Sequence, residues 1–190
     1  MNTPAHLIFG LAVFGRPNAS RVTAAALAGA LIPDASLYVM AGWSLFVMGI
    51  DARIVFGELY FSDLWQAVFR IDNSFILWEA GFAAALWWRL DWAIALCGAA
   101  LLHLLFDFPL HHDDGRAHFW PLTDWIYQSP LSYWDRNHYA GIVAPIEMGM
   151  SLIAGAFIVR RFWGSKLIVG LSGVLMAAQV VPGLIWAFVF

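Results

Sequence analysis

Six histidines and a handful of carboxylates stand out in a chain that is otherwise strongly apolar. The sharpest pair is His103-Leu-Leu-Phe-Asp107. Its i, i+4 spacing puts imidazole and carboxylate on one helix face about one turn apart, within reach of a single ion. A purely structural hydrogen-bonded pair has the same spacing. Just beyond it, His111-His112-Asp113-Asp114-Gly115-Arg116-Ala117-His118 packs three His and two Asp into eight positions. That density is characteristic of metal-binding or proton-transfer segments. His6 follows Thr3-Pro4, a helix start with proline in the first turn. Asp34 follows Pro33, whose missing N–H is expected to kink its helix and open the bundle above the carboxylate. His138 and Glu147 flank the start of a later helix, and Glu79 sits in a short apolar segment. Carboxylates and neutral imidazoles together call for a divalent metal; protonated carboxylates sharing hydrogen bonds are the metal-free alternative.

The elements that must hold these groups are set by composition. Of 190 residues 62% are hydrophobic and 12% charged, with a mean hydropathy of +0.71. Soluble domains run near 45–50% apolar and about 25% charged, so an ordinary soluble domain is excluded. The formal charge of −3 excludes a basic nucleic-acid binder, and no nucleic-acid partner is expected. Cys97, the single cysteine, reads as a small buried hydrophobe and allows no intramolecular disulfide. The first fifteen residues carry no Lys or Arg before an apolar core and no A-x-A site, which argues against a cleaved signal peptide.

Polar punctuation predicts helices over 4–14, 21–40, 74–88, 92–106, 142–159 and 167–190. Between the second and third, 51–72 repeats polar residues every four positions (Glu58, Ser62, Gln66, Arg70), the pattern of an amphipathic helix lying in a membrane interface. A short membrane-buried helix is the competing reading. Residues 109–141 form a long polar, aromatic loop of the kind that carries function. The expected fold is therefore all-α: a polytopic membrane bundle of about six spans, one interfacial helix and a long outer-face loop, all in one domain embedded in the lipid bilayer.

Arg16, Arg21, Arg89, Arg160, Arg161 and Lys166 fall in the three tight turns, which the positive-inside rule assigns to the cytoplasm. Both termini and the loop then face out. Measured from those turns at about 1.5 Å per residue, His6, Asp34, Glu79, His103, Asp107 and Glu147 lie about 15–27 Å up, in the outer half of a core about 30 Å thick. Intramembrane ionisable groups are costly and mark functional sites by default. Haem ligation by His6 and His103 across the bundle is a further possibility of the same layer.

Thr3 and His6, Pro33-Asp34, His103 with Asp107, Gly115 and Trp120-Pro121 together resemble the LexA-binding, inner-membrane-associated hydrolases, also called membrane-bound metal-dependent hydrolases. The resemblance runs from the N-terminus to about Leu122. The second acid usual after Pro-Asp is missing in Pro33-Asp-Ala-Ser36, and the Thr–His spacing is looser here. That family is considered similar to zinc-dependent phospholipase C and the fungal single-strand nucleases, all-α enzymes with a zinc cluster. The resemblance implies a bacterial inner-membrane protein with one or more divalent ions, zinc first. His6, Asp34, His103 and Asp107 would be ligands, with Asp107 able to bridge two ions. His111 or His112 would follow, and His138 with Glu147 would stand for a later ligand pair, although nine residues separate them. The implied chemistry is hydrolysis of a phosphoester on a phospholipid or lipid-linked substrate at the outer face. Arg116 and Arg136 would hold phosphate oxygens, and Asp113 and His118 would exchange protons with the leaving group. The alternative is a metal- or proton-handling membrane protein without hydrolysis.

Overall fold

Small residues decide where the helices meet. Gly10, Ala26, Gly29, Ala30, Gly98, Ala99 and Ala100 are all buried, and they let three backbones approach more closely than larger side chains would allow. The computed structural model describes residues 1–189, with side chains through Val181, and no strand occurs among the described residues. α1 (Thr3–Phe14) and α2 (Ser20–Gly42) form the first hairpin, and α2 runs on into a π-helical turn (Trp43–Val47). α3 (Ala52–Ile54), a second π-helical turn (Val55–Leu59) and α4 (Asp63–Asp72) follow, then α5 (Phe75–Trp87) and α6 (Asp91–Asp107). After the long loop and a single 3-10 turn (Arg136–His138) come α7 (Ala140–Arg161) and α8 (Lys166–Val189). The predicted end of the last helix at Phe190 lies outside the described residues.

The chain is thus all-α, and each of the six predicted helices is present. Two of them, Ser20–Val47 and Ala140–Arg161, are long and apolar enough to cross a membrane. α1, α5 and α6, at 12, 13 and 17 residues, are shorter than the about 20 residues a full span needs. Six full-length spans are therefore not what the helix lengths show.

The 51–72 segment is not one helix. Ser62 Oγ donates to the Leu59 carbonyl at 2.6 Å, and Gln66 Nε2 donates to the Tyr60 carbonyl at 2.7 Å. These side chains satisfy backbone oxygens locally and let the chain turn before α4. α4 keeps the predicted amphipathic pattern: Trp65 and Phe69 are buried against Val55, Tyr60 and Ala41, while Arg70 reaches Asp124 of the loop at 3.1 Å.

Pro33 lies inside α2 and does not end it. α2 continues through it, and the turn around it is completed from outside the helix: the Ala30 carbonyl accepts from His103 Nδ1 at 2.8 Å and the Pro33 carbonyl from Asn73 Nδ2 at 3.0 Å. The predicted opening above Asp34 is present, since the carboxylate lines a cavity together with Thr3 and Tyr38.

α2 packs most intimately on α6. A Cβ placed on Gly29 would overlap the Leu96 carbonyl oxygen, and one on Gly10 would stand 2.6 Å from the Ala30 Cβ. At the other end of the same helices the basic turns gather. Arg16 pairs with Asp91 at 2.8 Å, Arg21 lies 4.8 Å over the Trp92 ring, and Arg161 donates to the Ala12 carbonyl at 2.9 Å.

Gly29→Ala is expected to force α2 from α6 and to lower stability by about 1–3 kcal/mol, the usual cost of overpacking. Gly173→Ala, on α8 where an added Cβ meets nothing within 4 Å, is the matched control and should melt like the parent. Thermal denaturation of the two purified variants checks this.

Candidate metal centre

α6 delivers His103 and Asp107 one turn apart, as their spacing predicts, and both are buried. α1 lies across them because of the glycine and alanine contacts with α2 and α6, which places His6 directly over His103. The two imidazoles stack at 3.5 Å between centroids with 7° between planes. Both edges address the Asp107 carboxylate: His6 Nε2 lies 2.9 Å from Oδ1 and His103 Nε2 3.1 Å from Oδ2. One ligand atom from each of these three buried residues lies within 4.8 Å of the others, so the group can hold a metal ion.

Tautomers follow from the partners. His103 Nδ1 must donate to the Ala30 carbonyl, which in the neutral ring leaves Nε2 with its lone pair. That Nε2 is buried beside Asp107 and 3.7 Å from Asp34 Oδ1, yet it is aligned for no hydrogen bond. His6 Nδ1 is buried and unpartnered as well. A buried ring nitrogen without a partner needs an explanation, and a backbone carbonyl fixing the far nitrogen is how metal-binding histidines are held. The donor set therefore fits a divalent ion.

Around this core stand further groups. Thr3 Oγ1 donates to Asp34 Oδ2 at 2.5 Å and so sets the Asp34 carboxylate toward His103. The Met1 amino group donates to Asp107 Oδ1. His111 Nε2 lies 3.5 Å from Asp107 Oδ2, and its Nδ1 lies 2.9 Å from Asp114 Oδ2. Burial pulls the His111 pKa down, but the Asp107 and Asp114 carboxylates outweigh it and hold it at about 8. Burial pushes Asp114 up, and the His111 and Trp134 contacts bring it below the ordinary carboxylate range.

These residues open onto a cavity of about 160 Å³ whose opposite wall is Tyr60, Arg116, His118 and Tyr133. His118 donates from Nδ1 to the Asn73 carbonyl at 2.9 Å, so its Nε2 is an acceptor, and burial lowers its pKa to about 4. Arg116 is buried between two rings, 4.0 Å from the Phe69 centroid and 4.6 Å from that of Tyr60, and donates to the Tyr60 hydroxyl. Burial raises Tyr60 to about 12 and pushes Tyr133 up as well, so both phenols keep their protons.

The other expected site residues lie elsewhere. His112 stacks on His138 at 3.5 Å with 19° between planes, His112 Nδ1 donating to the Ser129 carbonyl and His138 Nδ1 to Asp135. Neither ring lines the cavity. Glu147 is buried, but its Oε1 accepts from the Asn2 backbone and side chain and from Gln179 Nε2 at 2.7 Å, tying α7 to α1 and α8. Asp113 is exposed and faces an outer depression with Arg70 and Asp124. Arg136 is exposed in the 3-10 turn, and Glu79 is exposed on α5.

Tyr60, Asn73, Asp114 and Tyr133 were not among the expected site residues. Asp114 stood in the His-rich run and carried a signal. The two tyrosines and Asn73 carried none, because only the folding of α4 and the loop over the cavity brings them in. No family model, curated protein or solved structure matches the chain.

A metal displacing the proton shared by His111 and the two carboxylates should bind more tightly as pH rises. Zinc affinity is expected to increase from pH 6.5 to about 8 and to level above it, with proton release. The metal-free protein is expected to show the reverse: the raised His111 pKa contributes stability that is complete below the unfolded value of 6.5 and is lost as pH passes about 8. Titration calorimetry in two buffers of different ionisation enthalpy, with melts alongside, checks both signs.

Proposed function

We propose that the protein is a membrane-embedded, metal-dependent hydrolase acting on a phosphoester carried by a lipid or lipid-linked molecule. The observation that carries this reading is the buried His6–His103–Asp107 group, whose Asp107 lines a cavity that Arg116 also lines. Held by these three residues, with Asp34 and His111 beside them, a divalent ion such as zinc would acidify a bound water and draw charge from a phosphoryl oxygen. The likeness of Thr3, His6, Pro33-Asp34, His103 and Asp107 to the membrane-bound metal-dependent hydrolases supports the same chemistry.

The chain's own groups divide the remaining work. Arg116 is pre-set by two rings, and among the described residues no ion pair involves it, so its planar fork is available to phosphate oxygens. His118, unprotonated at neutral pH with Nε2 as acceptor, takes a proton from the attacking water. His111, beside Asp107, would serve as a further ligand to the ion. Asp113 and Arg136 have no part in this arrangement.

A bilayer setting is supported by the two long apolar helices and by the surface. Ile153 and Phe157 on α7 and Val174 on α8 are large apolar side chains exposed within the helices, as lipid contact would favour. Exposed Trp87, Trp88 and Trp163 stand near the basic turns and Trp43, Trp125 and Trp134 near the cavity end, the arrangement of two interfacial belts. In a six-helix reading the short α1 and α6 stop at the site, and the loop 109–141 supplies the missing outer depth. Irregular backbone is tolerated there where protein buries it. The basic turns then lie in the cytoplasm and the cavity opens outward.

Elemental analysis of purified wild type beside His103→Ala and Asp107→Ala, with phosphate release from soluble and lipid phosphomonoesters, tests the proposal. Bound metal and hydrolysis should both be lost in the two variants. Full activity in both, or a wild type that takes up no metal, overturns it. Metal uptake without hydrolysis selects the metal-handling alternative. Arg116→Ala should keep the metal and raise KM about 10- to 100-fold, as loss of a charge-assisted hydrogen bond implies.

A further inference from the structure

Beside the polar cavity lies a second opening of opposite character. It is a groove of about 190 Å³ between α1, α6 and α7, walled by Phe9, Phe106, Leu110, Val143, Ile146 and Met150, with no polar surface. Val143, Ile146 and Met150 recur at i, i+3 and i+7, so α7 offers it one continuous face. Ile146 and Met150 are 58% and 44% exposed at its rim, and the Phe9 and Phe106 rings lie 5.0 Å apart in its wall. Glu147 also borders it, but the acid is turned inward, its Oε1 engaged by Asn2 and Gln179.

The groove and the cavity share a wall, since Met1 lines both. One substrate can therefore occupy both at once only if it joins an anionic head to an apolar chain. The head matches Arg116 and the metal group; the chain matches a groove that offers it no hydrogen bond. An apolar cavity of about 150 Å³ holds a benzene-sized solute, so this one takes a stretch of a single chain and not two. The opening on the α7 side, a helix long enough to cross a membrane, gives that chain a sideways path from lipid.

We infer that the groove between α1, α6 and α7 binds one acyl or isoprenyl chain of a lipid phosphoester whose phosphate enters the Arg116 cavity. This rests on the phosphoester reading above and adds the substrate's second recognition element. Val143, Ile146 and Met150 are then specificity-determining residues for chain length.

Two measurements test it on the full-length metal-loaded protein. The first compares kcat/KM for dioleoyl phosphatidic acid and for glycerol phosphate in wild type, Ile146→Trp and Met150→Trp, both substitutions at the exposed rim. The ratio of long-chain to chain-free kcat/KM should fall at least tenfold in each variant. An unchanged ratio overturns the assignment. The second cross-links phosphatidic acid bearing a photoreactive diazirine in its chain and maps the label by mass spectrometry. Label concentrated in 102–110 and 143–150, and competed by excess dioleoyl phosphatidic acid, supports the groove; label spread equally over exposed apolar residues such as Val174 and Phe157 overturns it. Cross-linking needs no turnover. Groove-specific label without phosphate release would refute the hydrolase reading while sustaining the lipid site, so the two failures are distinguishable.

Discussion

A carboxylate cannot be left charged in an apolar interior without compensation, and the residues around Asp107 are arranged by that requirement. The effective cost of burying an ion is several kcal/mol, which is recovered only by close, well-placed partners. Here two stacked imidazoles, a third from the loop and an amino group converge on one side chain. These four partners come from three places: the chain start with α1, α6 itself, and the turn after it. Two of the three rings are in turn held at their far edges, His103 by the Ala30 carbonyl and His111 by Asp114. The acid thus dictates the neighbours, and the neighbours dictate how α1, α2 and α6 must cross.

That crossing is possible only because the helices lack bulk where they touch. Gly29 lies against the Leu96 backbone and Gly10 against Ala30, so α1, α2 and α6 meet with almost no side chain between them. Closeness of backbones is what lets a short imidazole on one helix reach a short carboxylate on another. The longer groups of the cavity, Arg116, Tyr60 and Tyr133, come instead from loops and from the edge of α4, where reach replaces proximity. Short side chains on closely packed helices thus share the cavity with long ones that are fixed by ring contacts, Arg116 between Tyr60 and Phe69.

Much of this was legible in the sequence, and what was not has a geometrical cause. Helix positions followed from the basic turns and from proline and glycine, and the i, i+4 pair on α6 could be read directly. Counting depth along helices gathered His6, Asp34, His103 and Asp107 at one level, where they meet. Depth says nothing of azimuth, however. Glu79 stands in the same layer but points outward, because α5 lies at the margin and leans chiefly on α6. Glu147 points inward yet is taken by Asn2 and Gln179. In the loop, composition marked a His-rich run without saying that alternate members would part: His111 and His118 face the cavity while His112 turns to His138. The break before α4 depended on Ser62 and Gln66 bonding to nearby carbonyls, a local competition that an amphipathic pattern conceals.

The contacts made by the start of α1 have a consequence in time. Thr3 waits for Asp34, His6 for Asp107 and Asn2 for Glu147, partners 31, 101 and 145 residues further along the chain. At about 5–20 residues per second of synthesis, the last of these is not made until roughly 7–30 s after the first residues emerge. Until Asp107 is made His6 has no buried partner, and the first hairpin is held by the Gly10–Ala30 approach and the Thr3–Asp34 hydrogen bond. The start of the chain therefore records two stages of assembly: the His6–Asp107 contact closes once α6 has joined α1, and the tie to α7 through Asn2 and Glu147 closes last.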